Sequence, residues 1–452
     1  MSRTSARAVI VVLALAHAAF FIVYQSPDWA TEWTDQNGYT MLGRALADTG
    51  RFTRYPEYPR FVPEVIRTPG YPVFVAAVNR ILGRGQLPVA IAQAAVFAAI
   101  CLLVQALAAR VARDGVAFAA GVITALYPPL PYFGALTLTE VLTTFLVTLG
   151  MYLWVRALGG RGGWAAGAVL AGAALTRPSF QYLPAALAAA AAVVAPRGAA
   201  ARRASVLMLV VFAAVIAPWL LYNAIYLRMF TFTPAGGIGR TLWEGSWQVA
   251  LPGRVQATLT RIADATPDRI ALDNRVRGYA DQVQMEAAPM LRYVHQWQDI
   301  RRIWTEPQEP FERAWARVAA DRVYMQVGLD NIRRDPLRHA WRRATRGVLL
   351  LWVTEIPVRY SAINRLSTAA IRAIWLPQAG LMLAAIAGVF VLWRRNARAE
   401  AGAFAALIIY VTAVHAVLYS EARYALPAKP IVLLLATIAA SHAISRWVIR
   451  SG

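Results

Sequence analysis

The sequence predicts an all-α polytopic membrane protein, with about ten transmembrane helices and two long extracytoplasmic loops that contain amphipathic helices. Three observations predict it. Hydrophobic residues make up 58% of the 452 residues and charged residues 15%, with a mean hydropathy of +0.45; soluble domains carry about 25% charged residues. Apolar runs of about the 20 residues a bilayer needs recur along the chain. The short connections between them alternate in basicity. This composition excludes an ordinary soluble enzyme, a disordered chain and a disulfide scaffold. The net charge of +22, from 46 basic and 24 acidic residues, does not outweigh it. Membrane lipids are expected as partners, and no nucleic acid. Lys429 is the only lysine. GC-rich coding explains an arginine bias, and planar guanidinium groups also suit lipid phosphates and phosphorylated substrates. Cys101, the single cysteine, lies in an apolar stretch, which leaves no intrachain disulfide and no cysteine-based zinc site.

The apolar runs lie at 8–26, 86–109, 115–134, 138–156, 163–179, 180–196, 205–228, 370–393, 401–420 and 427–446. Each is read as a span, with Arg177-Pro178 at the junction of 163–179 and 180–196. With Arg3 and Arg7 in the cytoplasm, alternation puts five more basic segments inside: Arg110 and Arg113; Arg156 and Arg161; Arg197, Arg202 and Arg203; Arg394, Arg395 and Arg398; Arg446 and Arg450. An even number of spans closes that parity. Cleavage after the first run would upset it, so an uncleaved anchor is expected. The chain then divides into an N-terminal transmembrane module, 1–228, with a first outer loop at 27–85; a large, mostly helical outer loop, 229–366; and C-terminal transmembrane helices, 367–452.

In the first outer loop, residues 39–48 have helical spacing, with Tyr39, Leu42 and Leu46 on one face and Thr49-Gly50 as the stop. Residues 70–83 form a second amphipathic stretch after Thr68-Pro69-Gly70. Both suit helices lying on a membrane surface. The second loop reads as helical at 311–327 and around Trp341. Trp29, Trp33, Trp219, Trp243, Trp247, Trp352 and Trp375 fit an aromatic belt at the interfaces.

A few polar residues break the apolar pattern. Asp35, in Thr34-Asp35-Gln36-Asn37-Gly38-Tyr39, lies just outside the first span. It is either a solvated cap for the 39–48 helix or a general base at the membrane surface. Glu140 stands at the outer end of an otherwise charge-free helix, where a charge costs up to about 2.5–3.5 kcal/mol. It is either one half of an ion pair or a functional group. Arg177 ends an apolar run before Pro178; it could snorkel, pair with Glu140 or hold a phosphate. Arg67, before the Thr68-Pro69-Gly70 turn, could meet a lipid headgroup. Arg423 and Lys429 lie in the layer of lipid phosphates, where plain interface anchoring is the other reading. His17, His415 and His442 lie in apolar runs and are given no role. His295 and His339 have no partner at metal-ligand spacing.

In order, these features resemble the polytopic membrane glycosyltransferases of the GT-C superfamily, closest to the family 39-like branch of bacterial protein mannosyltransferase and lipid A aminoarabinose transferase relatives. The resemblance rests on Asp35 through the run Leu42-Gly43-Arg44-Ala45-Leu46-Ala47-Asp48-Thr49-Gly50-Arg51-Phe52; on Arg67-Thr68-Pro69-Gly70-Tyr71-Pro72; on Leu138-Thr139-Glu140; on Leu175-Thr176-Arg177-Pro178; and on Glu421-Ala422-Arg423-Tyr424-Ala425-Leu426-Pro427, with Pro218-Trp219 and Asn223 as a weaker sixth. It covers residues 35 to 430. It implies an inverting transfer of a sugar from a polyprenyl-phosphate donor to a lipid, glycan or protein acceptor. The expected place is the outer face of a bacterial cytoplasmic membrane. In that frame Asp35 is the catalytic base, and Glu140 orients the acceptor or assists the base. Arg67 is a candidate for the carrier phosphate, and Arg44, Arg177, Arg423, Tyr424 and Lys429 complete the substrate-binding set. No cofactor is expected, and a divalent ion held by Asp35 and Glu140 stays open. A transporter or flippase of lipid-linked sugars is the alternative outside enzymes, although it would favour internal repeats and midplane polar residues. A Wzy- or ligase-like polymerase is the third reading, one the arginines of 229–366 could serve.

Overall fold

The computed structural model describes residues 2–29, 34–160, 162–194, 198–358 and 366–451. Trp33, Arg161 and Arg197 lie outside the described residues. Within them, all regular structure is helical. Helix α1 (Arg3–Gln25) leads to the loop helices α2 (Thr34–Thr49) and α3 (Gly70–Ile81). Next come α4 (Gln86–Ala108), α5 (Asp114–Ala125), the short α6 (Pro129–Gly134), α7 (Glu140–Ala157), α8 (Gly163–Thr176), α9 (Leu183–Val194) and α10 (Ala199–Leu227). The large loop holds α11 (Ile238–Gln248), α12 (Gly253–Ala265), α13 (Arg269–Gln282), α14 (Ala287–Thr305), α15 (Pro310–Arg333), α16 (Pro336–Arg342) and α17 (Val348–Trp352). Helices α18 (Thr368–Arg394), α19 (Arg398–Val417) and α20 (Lys429–Ser451) end the chain.

An apolar helix stands at each of the ten expected positions, and the chain is a multi-pass membrane protein. Among the described residues, seven helices are long and apolar enough to cross a bilayer. The other three, α5, α8 and α9, have 12, 14 and 12 residues. At 1.5 Å per residue they reach about 18–21 Å, short of a hydrocarbon core of about 30 Å. The run 115–134 is not one helix: Pro128-Pro129 stops α5, and the chain restarts as α6. At the end away from the long loops, Arg3 meets Asp114 at 3.2 Å and Arg395 meets His442 at 3.2 Å. Helix α1 is built into the bundle. Ile10, Ala14, Ala18 and Phe21 are buried along one stripe, and His17 Nδ1 lies 2.8 Å from the Ala125 carbonyl.

The long connections cover the other end. Helices α2 and α3 form a hairpin there. Tyr39, Leu42 and Ala45 are the buried face of α2, whereas Leu46 is half-buried. The large loop forms a helical layer with its own core, which includes Val255, Leu259, Leu272, Met290, Val294, Ile300 and Tyr324. Trp243 and Trp247 belong to that core rather than to an interface belt. Their indole N–H groups both donate to Gln296 Oε1, at 2.8 and 2.9 Å. A smaller cluster, in which Val62 and Val65 meet Ala235, Ala314 and Val318, joins the two loops.

Candidate active site

Six charged or aromatic side chains from five chain segments converge where the two loops meet the helix ends. Asp35 comes from the first turn of α2. That helix starts at Thr34, earlier than the periodicity indicates, so Asp35 lies inside it rather than capping it. Gln36 anchors the turn: its Oε1 accepts the Thr137 N–H at 2.8 Å and ties α2 to the entry of α7. Glu140 opens α7, where the helix N-terminus favours a carboxylate. Arg177 follows α8 in extended backbone, φ −142° and ψ 106°, as the residue before Pro178 must. Arg67 precedes the turn at Gly70, whose Cα packs so closely on the end of α8 that a Cβ would lie 2.6 Å from Thr176 Oγ1. That approach sets Arg67 beside Arg177. Arg423 and Tyr424 come from the turn between α19 and α20.

The charges interlock. Arg67 Nη2 donates to Asp35 Oδ1, and Arg67 Nη1 reaches the Tyr39 hydroxyl at 3.4 Å. Arg423 Nη1 lies 3.8 Å from both Asp35 Oδ2 and Glu140 Oε1. Arg177 Nη2 donates to Glu140 Oε1 at 3.4 Å, and Glu421 holds Arg423 Nε at 3.0 Å. Tyr424 lies under two guanidiniums, with Arg177 at 4.7 Å and Arg423 at 5.4 Å from the ring centroid. Burial pushes the Asp35 carboxyl up, but Arg67 and Arg423 outweigh it and hold it below the usual carboxylate range. Asp35 is therefore an anion at neutral pH, and its side chain is 36% exposed while that of Glu140 is 2% exposed. Buried Glu140 Oε2 and Arg177 Nη1 have no hydrogen-bond partner among the described residues. No group of three His, Cys, Asp or Glu side chains suited to a metal occurs among them.

Two cavities meet at this cluster and share Asp35, Arg67, Arg423 and Tyr424. The inner one, about 630 Å³, adds Glu140, Arg177, Ser179 and a wall of Leu138, Tyr182, Val414, Val417 and Leu418. Tyr182 and Val417 at its edge are 62% and 64% exposed, so it opens along an apolar flank of the helices. The outer one, about 760 Å³, lies under the large loop and is lined by Trp243, Tyr293, Trp297, Trp304, Tyr324 and further arginines. Both volumes are of small-ligand size.

Two expected substrate-binding residues are not brought here. Arg44 is exposed on α2 and lines neither cavity. Lys429 is fully buried, and its Nζ donates to the Trp352 carbonyl at 3.0 Å and to Gln378 Oε1 at 3.2 Å. Several supporting residues were not read from the sequence. Buried Glu64 accepts from Arg54 Nε and Nη2 at 2.6 and 3.0 Å and from the Ile66 and Arg67 N–H groups, which fixes the backbone at Arg67. Gln248 clamps the turn before Arg423: its Nε2 donates to the Ser420 carbonyl at 2.6 Å, and its Oε1 accepts from Ser420 N and Arg343 Nη1. A Cβ at Gly245 would lie 1.8 Å from the Leu418 carbonyl, so α11 touches that turn directly. The partners of Gln248 lie 95 and 172 residues away in sequence, beyond any local pattern, whereas those of Glu64 lie 2 to 10 residues away.

No family profile and no curated protein matches the sequence. Solved structures do. The archaeal oligosaccharyltransferase AglB from Archaeoglobus fulgidus, in complex with an inhibitory peptide and a dolichol-phosphate, is 14% identical with a TM-score of 0.52; the match covers 98% of this chain and 51% of that one. The apo form of the Archaeoglobus fulgidus oligosaccharyltransferase gives 13% identity, a TM-score of 0.53 and the same coverage. This chain spans about half the length of those chains. ArnT from Cupriavidus metallidurans, bound to undecaprenyl phosphate, is 16% identical over 98% of this chain and 79% of that one; its TM-score is 0.42, and no argument rests on it. At these identities the likeness to the oligosaccharyltransferase shows a shared fold and nothing finer.

Proposed function

We propose that this protein is an inverting glycosyltransferase that moves a sugar from a polyprenyl-phosphate donor to an acceptor hydroxyl or amine on the outer face of the cytoplasmic membrane. One observation carries the reading. An ionised, accessible carboxylate, Asp35, stands among three arginines at the junction of an apolar-walled cavity and an aromatic, polar one. AglB, which shares the fold, has been solved with dolichol-phosphate and a peptide bound. The inner cavity suits the lipid-linked donor, and the outer cavity suits the acceptor.

The chemistry follows from these positions. Asp35 takes the acceptor proton while the acceptor heteroatom forms a bond to the anomeric carbon from the face opposite the phosphate. The bond from that carbon to the phosphate oxygen breaks, and its electron pair stays on the phosphate. The leaving group needs charge stabilisation rather than protonation, and Arg177 and Arg423 stand ready to supply it. Arg67 holds the Asp35 carboxylate in place and ionised. Glu140 lines only the inner cavity, so its free Oε2 suits a hydroxyl of the donor sugar better than the acceptor.

Mass spectrometry of lipid extracts tests this in three strains: a deletion, the deletion with wild type restored, and the deletion with Asp35→Asn. A polyprenyl-phosphate sugar should accumulate in the deletion, clear with wild type and persist with Asp35→Asn at wild-type membrane levels. A wild-type lipid profile with Asp35→Asn contradicts the assignment of the base and favours a flippase or transporter.

A further inference from the structure

The outer cavity has a basic wall that the transfer chemistry leaves unused. It stands where the first loop meets α15, and Arg54, Arg313 and Arg317 line a small recess there beside Glu64. Arg54 and Arg317 also face the large outer cavity, while Arg313 lines only the recess that opens beside it. Glu64 is already committed to Arg54 and to two backbone N–H groups. Arg313 donates only to the carbonyls of Pro307 and Gln308, at 3.0 and 3.4 Å. Arg317 lies over the Trp304 ring, 5.2 Å from its centroid. Among the described residues, neither Arg313 nor Arg317 has a carboxylate at salt-bridge distance. Other arginines of the outer cavity do: Arg240 pairs with Glu244, Arg301 with Asp264, Arg67 with Asp35 and Arg423 with Glu421. Burial and the neighbouring Arg54 hold the Arg317 guanidinium below its usual range, against the smaller opposing pull of Tyr55 and Glu64. Guanidinium groups that line one half-buried recess repel one another, and a bound anion relieves that repulsion.

We infer that Arg313 and Arg317, backed by Arg54, bind a carboxylate or phosphate carried by the acceptor, so that the acceptor is an acidic saccharide. Trp297, Trp304 and Tyr293, in the same cavity, offer faces for its sugar rings. This deepens the transferase reading and rests on it for the role of the cavity. Guanidinium groups fork onto both kinds of oxyanion, so the two sources of charge need separate arms.

Purified wild-type protein in lipid nanodiscs would be titrated by calorimetry with trigalacturonate against its neutral trimethyl ester, and with glucose 6-phosphate against glucose. Either or both charged ligands should bind about tenfold more tightly than the neutral partner. The preference should shrink as salt rises. It should vanish in the double variant Arg313→Gln/Arg317→Gln and largely survive in Arg313→Lys/Arg317→Lys. Equal binding within both pairs, no binding by any of the four, or a wild-type preference indifferent to salt overturns the inference. So does a preference that persists in the Gln variant. Undecaprenyl phosphate, titrated into the same wild-type sample, reports on the donor side. Its failure to bind would count against the transferase reading, while the saccharide pairs still decide the anion wall.

Discussion

Two of the groups of buried charge among the described residues are built on opposite plans. The cluster of Asp35, Glu140, Arg67, Arg177 and Arg423 opens onto two cavities. The cluster around Lys429 and Glu355 is walled in. There Lys429 donates to Trp352 and Gln378, Gln378 Nε2 donates to the Glu355 carbonyl at 2.6 Å, and the Tyr127 hydroxyl lies 3.3 Å from Glu355 Oε2. Lys429 and Glu355 are 0% and 3% exposed, and neither lines a large cavity. Charge beside an apolar helix marks function by default. The pair of clusters shows that access to a cavity, and not the charge alone, separates a reactive site from a tie between helices.

The largest effect should come from the open cluster. Asp35→Asn is expected to lower the rate of transfer by about 10²–10⁴-fold, the usual weight of a general base, with only a small fall in melting temperature from the lost pairing with Arg67. Rate assays on purified protein beside thermal melts check this; a lost fold together with lost activity would erase the contrast. The sealed cluster should answer in the opposite currency. Lys429→Met leaves Glu355 buried without its cation and should cost about 3–5 kcal/mol of stability, while Lys429→Met/Glu355→Gln recovers most of it. Burial already pushes the Glu355 carboxyl up against the pull of Lys429. A raised carboxyl binds more protons folded than unfolded. The stability deficit of Lys429→Met should therefore grow as pH rises through about 7, where Glu355 ionises beside Lys429 in the wild type and is held protonated longer in the variant. A deficit that shrinks with pH would contradict the account.

Much of the open cluster was legible in the sequence, because each member interrupts an apolar pattern or sits at a proline turn. Asp35, Arg67, Glu140, Arg177, Arg423 and Tyr424 were all singled out, and the structure brings them together. Lys429 was singled out by the same logic. Its burial depends on the Trp352 carbonyl at the end of α17 and on Gln378 of α18, 77 and 51 residues away, which leave no local signal. Trp243 and Trp247, four residues apart on one helix face, look the same in sequence whether they meet lipid or a protein core. The break in 115–134 was written in Pro128-Pro129, but the hydropathy on either side hid it. Gln248 acts on the backbone of Ser420, 172 residues away, which only the folded chain reveals, whereas Glu64 closes a local turn on the Ile66 and Arg67 N–H groups.

Smaller effects sharpen the same comparison. Gln248→Ala should weaken the clamp on Ser420 and displace Arg423. About 1–3 kcal/mol of buried hydrogen bonding is lost, expressed as a fall in kcat with little change in KM for the acceptor. The smallest effect is an absence. The Asp35 carboxyl is held below the usual range, so it stays ionised above its unfolded value of about 3.9 and loses that stabilisation only as pH falls through its lower folded value. The pH profile of kcat/KM should then show no acid limb from Asp35 between about pH 5 and 8. A limb centred near pH 6–7 that disappears in Asp35→Asn would contradict the electrostatics of the site.

The most direct measurement is a photo-crosslink. A polyprenyl phosphate with a photoactivatable group beside the phosphate is bound to purified protein, irradiated and mapped by peptide mass spectrometry. The account predicts adducts on the inner cavity, at segments 138–140, 176–182 and 413–424, which unlabelled polyprenyl phosphate competes away. Adducts confined to the outer cavity or spread over the apolar helix faces would contradict the claim that the arginine and carboxylate junction receives a lipid-linked donor.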